Sequence, residues 1–457
     1  MDGRTQALTY VREHREAFLS KLAEFLRIPS ISTLEEHARD VEEAAHWVAD
    51  YLRSLGMEDV QVYPTEGHPV VYGAYTAAGE GAATILVYGH YDVQPADPKE
   101  LWTSPPFEAT VRGDYLYARG ATDMKGQIMA ALAAVEAAVH SGGLPVNIKF
   151  LIEGEEETGS ASLPGFIRHH KDMLSADVSL NPDAGMLAPD LPTITYALRG
   201  LAYFEIRVYG PKQDLHSGVF GGVVHNPAQA LAELIAGMHD AQGRVTLPGF
   251  YDKVRPLDEE ERAELARLPQ DERFYLEHTG VPKLWGEPEY TPVERATARP
   301  TLEVNGLLSG FTGRGSKTVI PRQAMAKISM RLVPDQTPEE VHRQLLRYLE
   351  THAPETIRWE VEAMTGALPA MVDRNSPWVQ AMAQGLHAAW GTRPLFKREG
   401  GTIPVVAFLK ELLNMDSVLT GFALPDDNMH APNERLHLPT WYKGMEALVH
   451  FLYNLSE

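Results

Sequence analysis

The sequence predicts an α/β protein with a mostly parallel central sheet flanked by helices, and a smaller α+β domain inserted into it. Helical and strand patterns alternate through the first 150 of the 457 residues and again from about residue 376, which is typical of a parallel sheet covered by helices. Between residues 200 and 368, strands that alternate apolar with polar side chains accompany two amphipathic helices, a pattern typical of antiparallel strands with one exposed face. We expect a first domain of residues 1–199 and 369–457 and an inserted domain of residues 200–368.

The elements of the first domain follow from hydrophobic spacing. Residues 44–55 carry apolar side chains on one helix face, and Gly56 follows as a C-cap. Short β-rich runs at residues 70–75, 84–88, 146–152, 177–180 and 417–420 predict strands. Further helices are predicted at residues 123–140, 376–390, 405–413 and 441–455. Because the runs at 84–88 and 146–152 are strongly apolar, these strands are expected to be covered on both faces.

The inserted domain is predicted in the same way. Its strands are expected at residues 203–209, 324–333 and 356–364, and its helices at residues 226–240 and 337–352. Residues 241–300, rich in Pro and charge, are the least regular stretch. The acidic run at residues 258–264 within it predicts a solvated helix face.

Composition excludes several functional classes. Cysteine is absent, which rules out thiol nucleophiles, thiolate zinc sites, iron–sulfur clusters and disulfides, so any metal site must use His, Asp and Glu. The 62 acidic and 41 basic residues give a net charge of −21, which disfavours nucleic acid and anionic membranes as partners. Since neither a leader pattern nor a membrane-spanning apolar run is present in the sequence, we expect a cytoplasmic protein.

Polar residues gather where the predicted strands end, which is where open α/β sheets bind ligands. His90 follows the strand at 84–88. Asp92, two residues on, can fix the tautomer of that imidazole, as the partner of a metal-bound His does. Asp123 lies in a strand-to-helix turn with glycines on both sides. Taken singly, His90 also suits a structural role and Asp123 an ordinary helix cap.

The strand at 146–152 ends in four carboxylates within five residues: Glu153, Glu155, Glu156 and Glu157. Carboxylates crowded at the end of a buried strand repel one another strongly unless cations lie among them. Asp183 and His430 occupy polar loops after two further strands. Two His, at least three carboxylates and no thiol suit two divalent ions of the Zn, Mn or Co kind that share one carboxylate.

Eight motifs, in order along nearly the whole chain, resemble those of the carnosinase-like metallodipeptidases. They are GHYDVQP from Gly89, RGATDMKG from Arg119, EGEEETGS from Glu153, DLHSGVFGG from Asp214, KTVIPR from Lys317, MRLVP from Met330, REGGTIP from Arg398 and DDNMHAPNE from Asp426. This family belongs to a superfamily of di-metal exopeptidases, deacylases and carboxypeptidases that includes aminoacylase. The resemblance implies a di-metal catalytic domain and an inserted domain that serves as lid and dimer interface.

The resemblance also implies a role for each polar residue. The two ions, Zn or Mn, are expected to have these ligands: His90 and Asp183 for one, Glu157 and His430 for the other, and Asp123 bridging both. Glu156 is implied as the general base and Asp92 as the residue that orients His90. Three glutamates stand where the family commonly shows two, so this register depends on aligning Gly154 and Gly159. Glu155 is then the extra residue, turned away from the metals.

The inserted domain is implied to complete the site. His216 matches the family's donor to the oxyanion and is expected to reach the active site of the neighbouring subunit. Arg331 ends a predicted strand and offers a guanidinium fork to the terminal carboxylate of a peptide. Thr318, Gly401 and Thr402 match further substrate-binding positions. We therefore expect a homodimer that acts on small peptides.

Three functions remain open from the sequence. The first is hydrolysis of the amide bond of unblocked dipeptides by a metal-bridging hydroxide, which the excess positive charge of two ions over three carboxylates makes available near neutral pH. The second is an N-acyl amino acid deacylase or a related amidohydrolase, since the metal chemistry is the same and only the pocket differs. The third is a non-catalytic binding protein on the same fold, which conflicts with the intact ligands and base.

Overall fold

The computed structural model describes residues 2–456 and divides them into two compact units. The first contains the chain up to Tyr196, the segment Val372–Lys397 and the residues from Pro404 onward. The second contains Ala197–Met371 and Arg398–Ile403. The short segment Arg398–Ile403 thus lies in the second unit, outside the range 200–368 expected for the inserted domain.

Residues 2–456 form eighteen strands. In chain order they are β1 Glu58–Tyr63, β2 Val70–Tyr75, β3 Thr84–His90, β4 Thr110–Arg112, β5 Tyr115–Tyr117, β6 Asn147–Glu153, β7 Val178–Asn181, β8 Thr193–Leu198, β9 Gly200–Tyr209, β10 Leu215–His216, β11 Thr301–Ser309, β12 Val319–Ile320, β13 Gln323–Leu332, β14 Arg358–Ala367, β15 Ala370–Met371, β16 Leu395–Glu399, β17 Ser417–Leu419 and β18 Arg435–His437.

In the described part of the chain, fifteen α-helices accompany the strands. They are α1 Gly3–Glu13, α2 Arg15–Leu26, α3 Ala38–Ser54, α4 Lys125–His140, α5 Leu163–His169, α6 Lys171–Leu174, α7 Ser217–Phe220, α8 Pro227–Gly237, α9 Glu259–Leu265, α10 Glu272–Thr279, α11 Pro292–Thr297, α12 Pro338–His352, α13 Pro377–Trp390, α14 Pro404–Leu413 and α15 Leu438–Asn454. None of the helices within residues 2–456 is both long enough and apolar enough to cross a bilayer.

The helix starts follow local sequence signals. Thr337 and Ser376 precede α12 and α13, and each side chain accepts a hydrogen bond from a backbone N–H of the first turn. Pro occupies the first helical position in both helices, where its missing N–H costs nothing because that donor has no partner within the helix.

The large sheet has nine strands in the order β1-β2-β6-β3-β7-β17-β8-β15, with β16 beside β8. The strands at its centre, β6, β3, β7 and β17, lie side by side and pair in parallel. The outer pairs are antiparallel. β1 and β2 are joined by a short connection, which permits only antiparallel pairing, whereas a parallel pair needs a long crossover. The predicted α/β class with flanking helices is therefore confirmed, and the sheet is mixed.

Helix α4 forms the centre of the first unit. Residues from Lys125 to Ala138 are buried around its whole circumference, and α1, α2 and α15 pack against it while its other side contacts β3. Small alanine side chains let these neighbours approach closely. Trp441 of α15 donates its indole N–H to the Gly126 carbonyl at 2.7 Å. This bond fixes the start of α4 directly after Asp123.

The second unit contains a four-stranded antiparallel sheet in the order β11-β13-β9-β14. Inward side chains of β9 and β13 alternate with outward ones, and the inward set packs on α8 and α12 to form a core. Phe204, Ile328, Leu234 and Leu345 are typical members. The strands expected at 203–209 and 324–333 are thus the two central strands of this sheet. A separate pair, β10 and β12, carries His216.

The acidic run expected as a solvated helix face is helix α9, and that prediction is partly wrong. Glu261 and Glu264 are only 5% and 7% exposed. Glu261 accepts a hydrogen bond from Arg398 Nε at 2.8 Å, and Arg398 is itself buried. A buried carboxylate is tolerated when a cation is paired with it, and here the cation is 137 residues away in the chain, beyond any local pattern.

Candidate metal centre

The polar residues predicted from sequence collect at one edge of the large sheet. The strands β6, β3, β7 and β17 are parallel neighbours, so their carboxyl ends lie at the same edge. His90 is the last residue of β3, and Asp183 comes two residues after β7. Glu156 and Glu157 form a short 3₁₀ turn just after β6. Such an edge is where open α/β sheets place their ligands.

Asp123 lies between the two imidazoles. Its Oδ1 is 3.2 Å from His90 Nε2, and its Oδ2 is 3.0 Å from His430 Nε2. Each carboxylate oxygen therefore faces a different histidine. This is the arrangement that a carboxylate shared by two cations requires.

Two groups of possible ligand atoms share Asp123. In one group, atoms of His90, Asp123 and Asp183 lie within 4.8 Å of one another, and in the other, atoms of Asp123, Glu157 and His430 do so. His90 Nε2 is 3.9 Å from Asp183 Oδ2, and His430 Nε2 is 3.3 Å from Glu157 Oε2. All five residues to which the family resemblance assigned metal binding are thus brought together.

The electrostatics of the cluster fit divalent cations. Burial, opposed by His90 and reinforced by the neighbouring carboxylates, raises the pKa of Asp183 to about 8. The hydrogen bond to Asp123, with a second to Glu157, raises the pKa of His430 to about 10. Protons thus take the place of missing positive charge in this carboxylate-rich pocket. Imidazole and carboxylate donors without thiols suit Zn or Mn.

Asp92 forms hydrogen bonds with one member of each group of three possible ligands, which are called the two ligand triads below. His90 Nδ1 is 3.0 Å from the Asp92 carbonyl oxygen and 3.3 Å from its Oδ1. The nearer oxygen is on the backbone, whereas the sequence pointed to the side chain. Asp92 Oδ2 accepts from Ser32 Oγ at 2.6 Å and from the Glu157 N–H at 3.1 Å. Asp92 thus holds His90 and the Glu157 turn in one fixed relation, which is the usual function of a residue behind a metal ligand.

The three consecutive glutamates have different surroundings. Glu155 is buried and accepts the backbone N–H groups of His68 and Ser162, each at 3.0 Å. Glu156 Oε2 is 3.9 Å from His90 Nε2, and burial raises the pKa of Glu156. Glu157 contacts His430. Glu155 therefore ties two loops together, while the next two side chains face the imidazoles.

Sequence reasoning missed three residues that organise this edge. Gln94 donates its side-chain N–H to Glu157 Oε2 at 2.7 Å. Arg119 and Glu434 form a fully buried ion pair at 2.7 Å beside the turn that carries Asp123. Glu434 belongs to the motif DDNMHAPNE and Arg119 to RGATDMKG, so the motifs contained the signal, although no local spacing connects residues 315 positions apart.

The remaining predicted residues lie in the second unit. His216 is exposed, and its Nδ1 accepts the Gly218 N–H at 2.9 Å. Thr318 lies beside it, its carbonyl accepting the Ser217 N–H. Arg331 Nη1 donates to Thr402 Oγ1 at 3.2 Å, on the turn that also contains Gly401.

Arg199 is a further cation of the second unit that sequence reasoning missed. Its Nε donates to the Gly400 carbonyl at 3.1 Å, and its carbonyl accepts from Thr402 Oγ1 at 2.6 Å. Its Nη1 is buried and has no hydrogen-bond partner among the described residues. Burial and the charge of Arg331 lower the pKa of Arg199 to about 10. Two guanidinium groups are therefore associated with one turn, a set suited to an anion.

Comparison with known proteins gives one consistent result. The family model described as peptidase family M20/M25/M40 matches residues 86–454. The Beta-Ala-His dipeptidase of Homo sapiens is 31% identical over 468 residues, covering 98% of this chain and 92% of its own length. The Cys-Gly metallodipeptidase of Schizosaccharomyces pombe is 30% identical and covers 98% and 97%. The solved M20 family metallo-carboxypeptidase Sso-CP2 from Sulfolobus solfataricus is 35% identical with a TM-score of 0.82, covering 96% and 99%.

Proposed function

The chain belongs to peptidase family M20/M25/M40, and from that premise we propose that it is a metal-dependent dipeptidase that hydrolyses the amide bond of unblocked dipeptides. The observation that carries the proposal is the pair of ligand triads sharing Asp123 at the carboxyl edge of the sheet. Two of the similar proteins are dipeptidases by name. The retained ligands and the adjacent Glu156 argue against a binding protein without catalytic activity.

Five residues are proposed to hold two Zn or Mn ions: His90 and Asp183 for one, Glu157 and His430 for the other, and Asp123 for both. When bound, such ions supply the positive charge that acidifies a water molecule and polarises the amide carbonyl. The chain's contribution is to fix the donors, and Asp92 and Gln94 do so through hydrogen bonds to His90 and Glu157.

Glu156 is proposed as the general base. It lies on a turn after β6 whose backbone is held by hydrogen bonds. The Glu157 N–H donates to Asp92, and the Thr158 and Gly159 N–H groups donate to the carbonyls of Glu155 and Glu156. The raised pKa of Glu156, caused first by burial, brings the carboxyl closer to the range in which it can both accept and return a proton. It takes the proton of the attacking water and delivers it to the leaving amine nitrogen.

Substrate recognition is proposed to use the turn of residues 400–402 in the second unit, which Arg199 and Arg331 flank. This group is called the cationic turn below. Arg331 and Thr402 are joined by a hydrogen bond, and Arg199, which is bonded to the Gly400 carbonyl, offers an unpartnered Nη1 beside the same turn. A terminal carboxylate satisfies such donors in a bidentate manner. Thr318 and the backbone of Gly401 are proposed as further contacts. This grip selects substrates by their free carboxyl end.

A homodimer is proposed in which His216 of one subunit stabilises the oxyanion in the site of the other. An observation in the second unit supports pairing with another copy. Strand β11 is an edge strand of the four-stranded sheet. Its exposed apolar side chains are Val304, Leu307 and Leu308, which are 42%, 60% and 57% exposed. Edge strands with apolar side chains are sites of intermolecular pairing.

A substrate panel with the metal-reconstituted protein tests the proposal. We expect hydrolysis of unblocked dipeptides and a large loss of rate when the carboxyl end is amidated, because the cationic turn then loses its anion. Removal of acyl groups from N-acyl amino acids without cleavage of dipeptides would identify a deacylase instead. Shortening of longer peptides from the carboxyl end would identify a carboxypeptidase, the activity in the name of Sso-CP2.

A further inference from the structure

Glu434 is an acidic residue that the proposed reaction does not use, and its environment is unusual. Its side chain is fully buried. Oε2 accepts from Arg119 Nη1 at 2.7 Å and from the Gly120 N–H at 2.8 Å. Oε1 accepts from the Thr122 N–H at 2.9 Å and the Asp123 N–H at 3.1 Å. Four donors use the full accepting capacity of one carboxylate.

Three of these donors belong to the turn that carries the shared carboxylate of the metal centre. The turn begins at Gly120, whose φ of +84° lies in the left-handed region. A Cβ there would also lie 2.7 Å from Val93 Cγ1. Gly120 lets the backbone bend so that the N–H groups of residues 120, 122 and 123 converge on one point. Glu434 occupies that point.

Glu434 also belongs to the loop that carries His430. Its own carbonyl accepts the Ala118 N–H at 3.1 Å, and Arg119 Nη2 lies 3.3 Å from the Ala431 carbonyl and 3.1 Å from the Pro95 carbonyl. One ion pair therefore joins the turn of Asp123, the loop of His430 and the segment after His90. These three segments supply three of the five proposed ligands.

We infer that Glu434 is a positioning residue for the metal centre, which sets the orientation of Asp123 relative to His430 through the backbone of the turn. The inference rests on the two-metal site proposed above. A carboxylate buried beside other carboxylates is costly, and the four charge-assisted hydrogen bonds offset that cost. An apolar side chain there would leave Arg119 and three backbone N–H groups without an acceptor, so the carboxylate also contributes to stability. Because the Glu434 carboxylate binds the N–H groups of residues 120, 122 and 123, it fixes the backbone of the turn. The backbone in turn determines the position from which the Asp123 side chain extends.

The substitution Glu434→Gln gives a sharp test because it keeps size and shape. An amide has one oxygen, so its nitrogen must face two donors and leaves them without an acceptor. We expect both ions to bind about 10- to 100-fold more weakly, the range typical for loss of a residue behind a metal ligand. The measurement is titration of the metal-free protein with Mn²⁺ or Zn²⁺ in competition with a chelator of known affinity.

Glu136→Gln is the matched control. Glu136 is also a buried carboxylate with three donors, Tyr10, Lys21 and Tyr51, but it contacts none of the proposed ligands. The Glu136→Gln variant should lose thermal stability, yet its affinity for metal should stay within about twofold of the wild-type affinity. If Glu434→Gln loses stability like the control and binds both ions with wild-type affinity, Glu434 is merely structural and the inference is wrong.

If Glu434→Gln does not fold, Glu434→Asp replaces it. The shorter side chain keeps the charge but cannot reach all four donors, so the same loss of affinity is expected, and wild-type affinity would overturn the inference. Failure of the proposed function gives a different result. In that case the wild-type protein itself does not bind two ions or does not hydrolyse any amide, whatever residue stands at position 434.

Discussion

Charge balance among a few side chains determines what the metal centre can do. Asp123 is held ionised: although burial raises its pKa, the hydrogen bonds from His430 and His90 bring it below the usual range of an Asp. Asp183 and Glu156, buried beside it, have raised pKa values. The same cluster therefore contains a strong anionic bridge and a carboxyl group able to hold a proton. This separation of roles between neighbouring carboxylates is what metal-assisted hydrolysis needs.

Glu156→Gln should keep both metal ions and lose turnover by about 10²- to 10⁴-fold, the contribution typical of a general acid–base residue. The reason is that an amide cannot take the proton of the attacking water. Metal content and turnover are measured on the same preparation. Glu155→Gln is the control, because Glu155 accepts from His68 and Ser162. If Glu155→Gln is instead the inactive variant with full metal content, the assignment along the glutamate run is shifted by one residue.

Metal binding should release about two to three protons per chain at neutral pH, because ligands must be deprotonated to bind. In the metal-free protein His430, with a pKa of about 10, and Asp183, with a pKa of about 8, both hold a proton at pH 7. The pKa of His90 is raised by Asp123 and Asp92 against the effect of burial. Affinity should therefore rise as the pH increases from 6 toward 10. Calorimetry in buffers of different ionisation enthalpy counts the protons, and a proton-independent affinity would contradict this picture.

At the scale of elements, the sequence predicted what depends on local pattern. His90, Glu157 and Asp183 each follow a short apolar run, so their place at a strand end could be read from the sequence, and parallel order brought the ends together. Contacts between distant segments could not be read in this way. The bonds from Glu434 to the turn of Asp123 span 311 residues or more, and the Glu261 to Arg398 pair spans 137. The antiparallel outer strands likewise depend on connection length and sheet order rather than on composition.

The crossing of α13 and α15 gives a prediction at this scale. Gly385 of α13 is buried, and a Cβ there would lie 2.6 Å from the Ala447 carbonyl of α15. Gly385→Ala should therefore destabilise the protein by about 1 to 3 kcal/mol, as overpacking does. Gly165→Ala is the matched control, because Gly165 is helical with open space around it, and it should stabilise by about 0.5 to 1 kcal/mol. Urea unfolding midpoints measure both, and equal stabilisation by both variants would disprove the close crossing.

At the scale of the whole molecule, the proposal divides one active site between two chains. The first unit contains every proposed metal ligand and Glu156, whereas His216 and Arg331 lie in the second unit. The exposed apolar side chains of the edge strand β11 offer a surface for a second copy. A monomer would then have a complete metal centre and lack the donor for the oxyanion. Catalysis would then require dimer formation.

Mixing two inactive variants tests whether His216 acts in the active site of the other subunit. Chains with His216→Ala and chains with Glu156→Gln should form heterodimers in which one site takes its base from the first chain and its His from the second. Random reassortment makes half of the dimers mixed, each with one working site of two, so activity should return to about a quarter of wild type. Native mass measurement verifies the exchange. If exchange occurs without activity, His216 acts in its own chain or has no catalytic role.

The five proposed ligands at the carboxyl edge of the sheet would hold two metal ions, and the protein would hydrolyse dipeptides only when both are bound. This requirement is tested most directly by adding Mn²⁺ or Zn²⁺ stepwise to the chelator-treated wild-type protein while bound metal and hydrolysis of an unblocked dipeptide are both followed. We expect activity to be absent without metal, to rise with occupancy and to reach its maximum at about two ions per chain. Full activity with one ion or none, or two bound ions without hydrolysis of any amide, would contradict it.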